Sequence, residues 1–185
     1  VSCVTARAPN WQGCVDSAAR SLPYCDTSLE LEARLDDLMS RLTLEEKVNQ
    51  LFPQLDLGDE CMTVTRGKKE IGLPPWMWLT ETNTVASSAC TEENSCATTF
   101  VGPMGMGASF NRTSWRLKGS VIGTELRALT NIGAARVSGV SGMLVALSAF
   151  GPNINIARDP RFGRNSELPG EDPLMSGTYA YEMVS

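Results

Sequence analysis

The sequence predicts an α/β fold. Apolar residues at helical spacing alternate along the chain with short aromatic or β-branched runs, and charged residues gather where those runs end. Size adds a third observation. A (β/α)8 barrel takes about 250 residues, and an open parallel sheet needs several strands. Two or three strands in 185 residues are therefore expected to form part of such a domain.

The first 25 residues read as loop held by cysteines. A first helix is expected over residues 29–42, with Leu31, Leu35, Leu38 and Leu42 as its buried stripe. Thr43 with Glu46 three positions on is a capping box opening a second helix over 44–52, with Val48, Leu51 and Phe52 inward and Pro53 ending it. Residues 54–70 are polar and irregular. The apolar run Trp76, Met77, Trp78, Leu79 suits a buried strand, with Thr80, Glu81, Thr82 and Asn83 at its carboxyl end. Residues 102–107, Gly-Pro-Met-Gly-Met-Gly, lack the third glycine of a dinucleotide loop because Phe110 stands in its place. They read as a flexible turn, with Met104 and Met106 filling gaps in the core. A third helix is expected over 112–136, opened near Asn111, with Trp115, Ile122, Leu126, Leu129 and Gly133 on one side. A second strand falls within 145–156, interrupted by Gly151 and Pro152. Asp172 followed by Pro173 reads as an N-cap with proline in the first helical position, opening a last helix over 174–184.

Composition excludes several classes of function. A net charge of −5 with no Lys/Arg-rich block gives no basic face for nucleic acid. The longest nearly apolar run, residues 143–150, is far short of the roughly 20 residues a membrane span needs. The chain has no histidine, which removes Ser-His-Asp and Cys-His catalysis and the histidine-dependent zinc hydrolase motifs. Six cysteines (Cys3, Cys14, Cys25, Cys61, Cys90 and Cys96) with the sequon Asn111-Arg112-Thr113 fit an oxidising, secretory setting, with Asn111 as glycosylation site. Cys90 and Cys96 enclose a short polar loop and are expected to pair; spacing leaves the other four open. No CxxC pair is present, so a metal site is not expected. The absence of a basic, apolar signal segment at Val1 suggests a mature start after cleavage.

The chemistry is concentrated in residues 151–173, GPNINIARDPRFGRNSELPGEDP. Arg158, Arg161 and Arg164 lie three positions apart, with Asp159, Glu167, Glu171 and Asp172 as partners, so the loop should close on itself through charge-assisted hydrogen bonds. Rigid loops at strand ends are where α/β proteins usually keep their chemistry. Paired carboxylates are the usual means of glycoside hydrolysis, and Glu167, Glu171 and Asp172 could supply them. Against this, the last two fall where a helix N-terminus would use them as capping groups. Glu81 follows a tryptophan-rich run on which a sugar ring could stack while the carboxylate accepts from its hydroxyls. The plainer reading of Glu81 is a solvated or salt-bridged surface group.

Together these residues resemble glycoside hydrolase family 3, the β-glucosidase and β-xylosidase family. The likeness runs from about Leu22 through SRLTLEEKVNQL, IGLPPWMWLTE and ATTFVGPMGMGASFNRTSWRLKGSVIGTELRALTN to NINIARDPRFGRNSELPGEDP. The last is similar to the family's RDPRWGR…E.PGEDP signature, with phenylalanine for tryptophan. The resemblance implies the first part of a (β/α)8 TIM-type barrel, with residues 1–25 as an N-terminal extension and 26–185 as the barrel portion. It implies a secreted, retaining, exo-acting enzyme on β-linked glucosyl or xylosyl units, without cofactor. Arg158 and Glu81 would bind the sugar, and Asp159, Arg161, Arg164, Glu167, Glu171 and Asp172 would hold the loop in shape. The family's Lys-His pair, nucleophilic aspartate and acid/base glutamate correspond to positions beyond Ser185, so the remainder of the hydrolase or a companion chain would supply them. Relatives of the xylosidase type read WWSEALHGV where this chain reads WLTETNTVA, with Thr84 in place of their histidine. An inactive homologue serving as a carbohydrate-binding or structural component of an extracellular assembly is the rival expectation.

Overall fold

A computed structural model describes residues 13–15, 19–51, 64–65, 67–74, 76–77, 80–86, 90–92, 95–131 and 147–185. The chain divides into two compact units, Val1–Trp78 and Leu79–Ser185.

In the first unit α1 spans Leu31–Ser40 and α2 spans Leu44–Asn49. The capping box that opens α2 is formed in both directions: Glu46 N donates to Thr43 Oγ1 at 3.2 Å and Thr43 N to Glu46 Oε2 at 2.8 Å. The leucine stripe of α1 is not buried as expected. Only Leu42, just past the helix, is inside, whereas Leu31 is 60% and Leu35 43% exposed. The inward side is instead polar, and the reason is Tyr24. Its backbone N–H donates to Asp37 Oδ2 at 3.1 Å and its carbonyl accepts from Arg34 Nε at 3.1 Å, while Arg41 Nη2 closes on Asp37 Oδ1 at 2.8 Å. Arg34, Asp37, Leu38 and Arg41 thus form the helical-period face that packs. Val48 and Leu51, expected inward, are also exposed; Phe52 and Pro53 lie outside the described residues.

β1 (Val64–Thr65), in a stretch expected to be irregular, pairs antiparallel with β2 (Trp76–Met77). The strand around Trp76 is therefore not a fully buried one. A two-stranded ladder leaves a face open, and Trp76 is 39% exposed. Trp78 and Leu79 lie outside the described residues. Lys68 braces the unit, its Nζ donating to Glu46 Oε2 at 2.7 Å and to the Arg41 carbonyl at 3.1 Å. Cys14 and Cys25 are joined by a disulfide.

The second unit is organised around α4, Arg112–Asn131. Asn111 caps it, accepting from Ser114 N through Oδ1 at 3.0 Å. One side of α4 buries Ile122, Leu126 and Leu129 with Ala86, against Ala97 and Phe100. The other side sets Trp115 edge-on to Tyr179 at 5.5 Å between ring centroids, with Met106 and Met183 completing that core. Residues 132–136 and Gly133 lie outside the described residues. The stretch expected to be a flexible turn is α3, Pro103–Ala108, with Gly102 as N-cap and Pro103 in a first-turn position. Met106 is in the core as expected, but Met104 is 47% exposed.

β3 (Cys90–Glu92) and β4 (Ser95–Cys96) form a short antiparallel ribbon closed by the Cys90–Cys96 disulfide. The strand expected over 145–156 is reduced, in its described part, to one parallel bridge between Thr80 and Ala149. Thr80 N donates to the Ser148 carbonyl at 3.1 Å and Phe150 N to the Thr80 carbonyl at 2.9 Å. α5, Pro173–Val184, opens as expected on Asp172, whose Oδ2 accepts from Met175 N at 2.7 Å. Helix α5 packs on α4 closely enough that a Cβ at Gly119 would lie 2.9 Å from the Met183 carbonyl carbon. At Gly107 a Cβ would lie 2.8 Å from that of Pro169, which fixes α3 against the end of the arginine loop. No helix among the described residues is long and apolar enough to cross a membrane.

Candidate functional site

The Thr80–Ala149 bridge places the turn after residue 80 beside the start of the 151–173 loop, and the two segments are stitched together from there. Glu81 Oε1 accepts from Asn83 N at 2.9 Å, so this carboxylate folds back on its own turn. Asn83, only 6% exposed, accepts through Oδ1 from Asn153 N at 2.9 Å. Asn153 Nδ2 then donates to Glu167 Oε2 at 2.7 Å. Arg164 grips the same carboxylate in a fork, Nε to Oε1 at 2.8 Å and Nη2 to Oε2 at 2.6 Å. The Arg164 hydrogen bonds hold the Glu167 carboxyl below the usual carboxylate range. Arg164 is stabilised as a cation by Glu167 first, and also by the charge of Glu81. Glu81, Arg164 and Glu167 thus share one electrostatic neighbourhood.

The outer half of the loop is a second fork. Arg161 donates from Nε to Asp159 Oδ1 at 3.0 Å and from Nη2 to Oδ2 at 2.6 Å, and its backbone N–H also donates to Oδ1, at 2.8 Å. These bonds hold the Asp159 carboxyl below its ordinary value. The Asp159 carbonyl accepts from Phe162 N at 3.0 Å and from Asn165 Nδ2 at 2.8 Å. Ala157 N donates to the Gly170 carbonyl at 2.9 Å.

Arg158 stands between these two pinned residues, so its backbone is fixed. Its side chain is exposed, and among the described residues it makes no hydrogen bond or ion pair. The three arginines, equivalent by spacing, have separated into two that are consumed by carboxylates and one that is free. Glu171 is exposed. Asp172 is committed to capping α5, so it does not pair with Glu167 as a second catalytic carboxylate would. A cleft of about 390 Å3 opens along the loop, lined among others by Asn153, Asn155, Phe162, Arg164 and Glu167. Neither Arg158 nor Glu81 lines it, so it is a separate feature from the two residues expected to contact sugar. Among the described residues no group of Cys, Asp and Glu is gathered as a metal site would be.

Spacing sets Asn83 at the end of the aromatic run without a role, and it does not single out Asn153. The signal for Asn153 was faint: an amide directly after Gly151 and Pro152, where the chain enters the loop.

Comparisons with known proteins say what kind of protein carries this loop. The chain is 38% identical over 165 residues to a β-xylosidase/α-L-arabinofuranosidase of Medicago sativa subsp. varia, a match covering 86% of this chain and 19% of that protein. It is 36% identical over 181 residues to an exo-1,4-β-xylosidase of Emericella nidulans, covering 95% and 21%. A solved GH3 exo-β-xylosidase, in complex with a xylobiose aziridine probe, superposes with a TM-score of 0.72 at 30% identity, over 98% of this chain and 21% of that one. No protein-family model matches. The chain belongs to glycoside hydrolase family 3, in the N-terminal part of the catalytic domain, and has the α/β fold of the first part of that barrel. It spans about a fifth of the length of the curated relatives it matches.

Proposed function

We propose that this chain forms the sugar-binding wall of a retaining, exo-acting β-glycosidase of the β-xylosidase type. Arg158 and Glu81 contact the sugar in the subsite ahead of the cleaved bond. The nucleophile and acid/base belong to the rest of the hydrolase or to a companion chain. The observation that carries this reading is the contrast within the loop: Arg161 and Arg164 are each forked to a carboxylate, whereas Arg158 has a fixed backbone and a guanidinium without a partner among the described residues. An exposed arginine on a braced loop, its five N–H donors meeting no acceptor among the described residues, is suited to donate to a ligand's oxygens. The xylosidase relatives favour a pentosyl unit as that ligand.

Secretion is part of the proposal. It is supported by the Cys14–Cys25 and Cys90–Cys96 disulfides and by Asn111. Asn111 is exposed, and it caps α4 through Oδ1, leaving Nδ2, the atom a glycan takes, outside that bond.

Titration of the chain with xylobiose tests the site. Arg158→Ala is expected to abolish binding, while Arg161→Ala, which removes only a partner of Asp159, weakens it modestly. Equal effects of the two would sink the assignment. A nitrophenyl β-xyloside should not be hydrolysed by the 185-residue chain alone. Thr84, which stands where relatives of the xylosidase type carry a histidine, leaves one second reading, a homologue that binds carbohydrate without cleaving it, and hydrolysis by the complete protein would dismiss it.

A further inference from the structure

Asn153 touches both halves of the site. Its backbone N–H reaches Asn83 Oδ1 at 2.9 Å and its side-chain Nδ2 reaches Glu167 Oε2 at 2.7 Å. Past Asn83 the run continues to the Glu81 carboxylate, and past Glu167 to the Arg164 guanidinium. Each donor in this sequence meets an acceptor, and the direction is forced. An ionised Glu167 can only accept, so position 153 must donate to it, which an amide does and a carboxylate does not. At the other end Asn83 is buried, so water competes little for that bond.

We propose that Asn153 is a positioning residue for sugar binding: it locks the Glu81 turn to the arginine loop so that Glu81 and Arg158 are presented to one ligand. The inference rests on the sugar-site reading above and adds a residue that makes no ligand contact itself. Its two links are separable. Asn153→Ala keeps the backbone bond to Asn83 and deletes only the bridge to Glu167.

The test is xylobiose titration of the isotope-labelled chain by NMR, with thermal unfolding measured in parallel, for wild type, Arg158→Ala and three further variants. Asn153→Ala is expected to weaken binding about tenfold, as for loss of one hydrogen bond to a charged group. Asn153→Asp sets a second carboxylate against Glu167. It is expected to bind worse still near neutral pH and to recover as pH falls and one of the two takes a proton and becomes a donor. Asn153→Asp combined with Glu167→Gln reverses donor and acceptor and is expected to bind better than Asn153→Asp alone. Should Asn153→Ala fail to fold, the acid recovery and the reversed pair decide the matter. Wild-type affinity in a folded Asn153→Ala, or no recovery by either acid or reversal, while Arg158→Ala still abolishes binding, overturns the positioning role and leaves the sugar site standing. No xylobiose binding by wild type removes the sugar site, and this inference with it.

Discussion

Gly151 is where the arginine loop lies hardest against the Glu81 turn, and Gly151→Ala is the most direct perturbation of that contact. A methyl there would collide with Thr82 Oγ1, and it would sit 2.8 Å from the Thr82 carbonyl carbon and 3.1 Å from Asn83 N. Ordinary contact begins at 3.4 Å, so the backbones must part by roughly 0.6 Å. The Thr82 hydroxyl can rotate away, but the two backbone atoms cannot. The same displacement would stretch the Asn153 N–Asn83 Oδ1 bond from 2.9 Å toward about 3.5 Å, where a hydrogen bond is largely lost. Overpacking of this kind costs about 1–3 kcal/mol, which for a unit of about 100 residues corresponds to a fall in Tm on the order of 5–15 °C. Because the strain falls between the two segments proposed to bind sugar, xylobiose affinity should drop as well. The assay is differential scanning calorimetry with the NMR titration. Gly163→Ala is the internal control: it lies in the same loop, and a methyl there meets nothing within 4 Å. It should be neutral, or more stable by about 0.4–1 kcal/mol through the unfolded chain. A Gly151→Ala protein with wild-type Tm and affinity, or a Gly163→Ala protein equally damaged, would refute the reasoning.

Three other outcomes are expected. Lys118 is fully buried on α4 with the Val101 carbonyl as acceptor at 2.9 Å, and desolvation lowers its pKa to about 8. The unfolded chain then holds more protons than the folded one between about pH 8 and 10.4, so stability should rise with pH across that window, by roughly 3 kcal/mol at most. Urea melts should show this rise in wild type and not in Lys118→Met. Asp159 and Glu167 are held below their ordinary pKa by Arg161 and Arg164, so their forks stabilise the loop above the usual carboxylate range and fail as pH falls through the depressed values. Protection of Arg161 N and Ala157 N from hydrogen exchange, taken relative to the intrinsic rate at each pH, should fall there, and unchanged protection would contradict the pairing. Gly177→Ala in α5, where a Cβ meets nothing, should stabilise by about 1 kcal/mol on helix propensity alone; a destabilised variant would show α5 to be packed on that side.

Features decided over a few neighbouring residues were legible in the sequence. The Thr43–Glu46 box, the Asn111 and Asp172 caps and the loop carboxylates available to three arginines each rest on partners within a few positions, and side-chain geometry at that range leaves few alternatives. The family signature in the arginine loop was legible for the same reason. Burial was less so. The leucine spacing of α1 describes a good apolar stripe, yet the helix turns its Arg34, Asp37 and Arg41 side inward because Tyr24 offers them backbone and carbonyl partners. Met104 and Trp76 are exposed for the related reason that an apolar residue is buried only where another element covers it.

By itself, then, the sequence determined the family, the helix caps and the composition of the site. Only the tertiary structure decided which arginine is free. Spacing makes Arg158, Arg161 and Arg164 equivalent, and they differ because Asp159 and Glu167 each reach one guanidinium and leave the third without a carboxylate among the described residues. It also decided that the Glu81 turn and the arginine loop act as one surface, through a bond from Asn153 to Asn83 across 70 positions. A link of that length has no signature in local spacing, because it exists only once the fold has brought its two ends together.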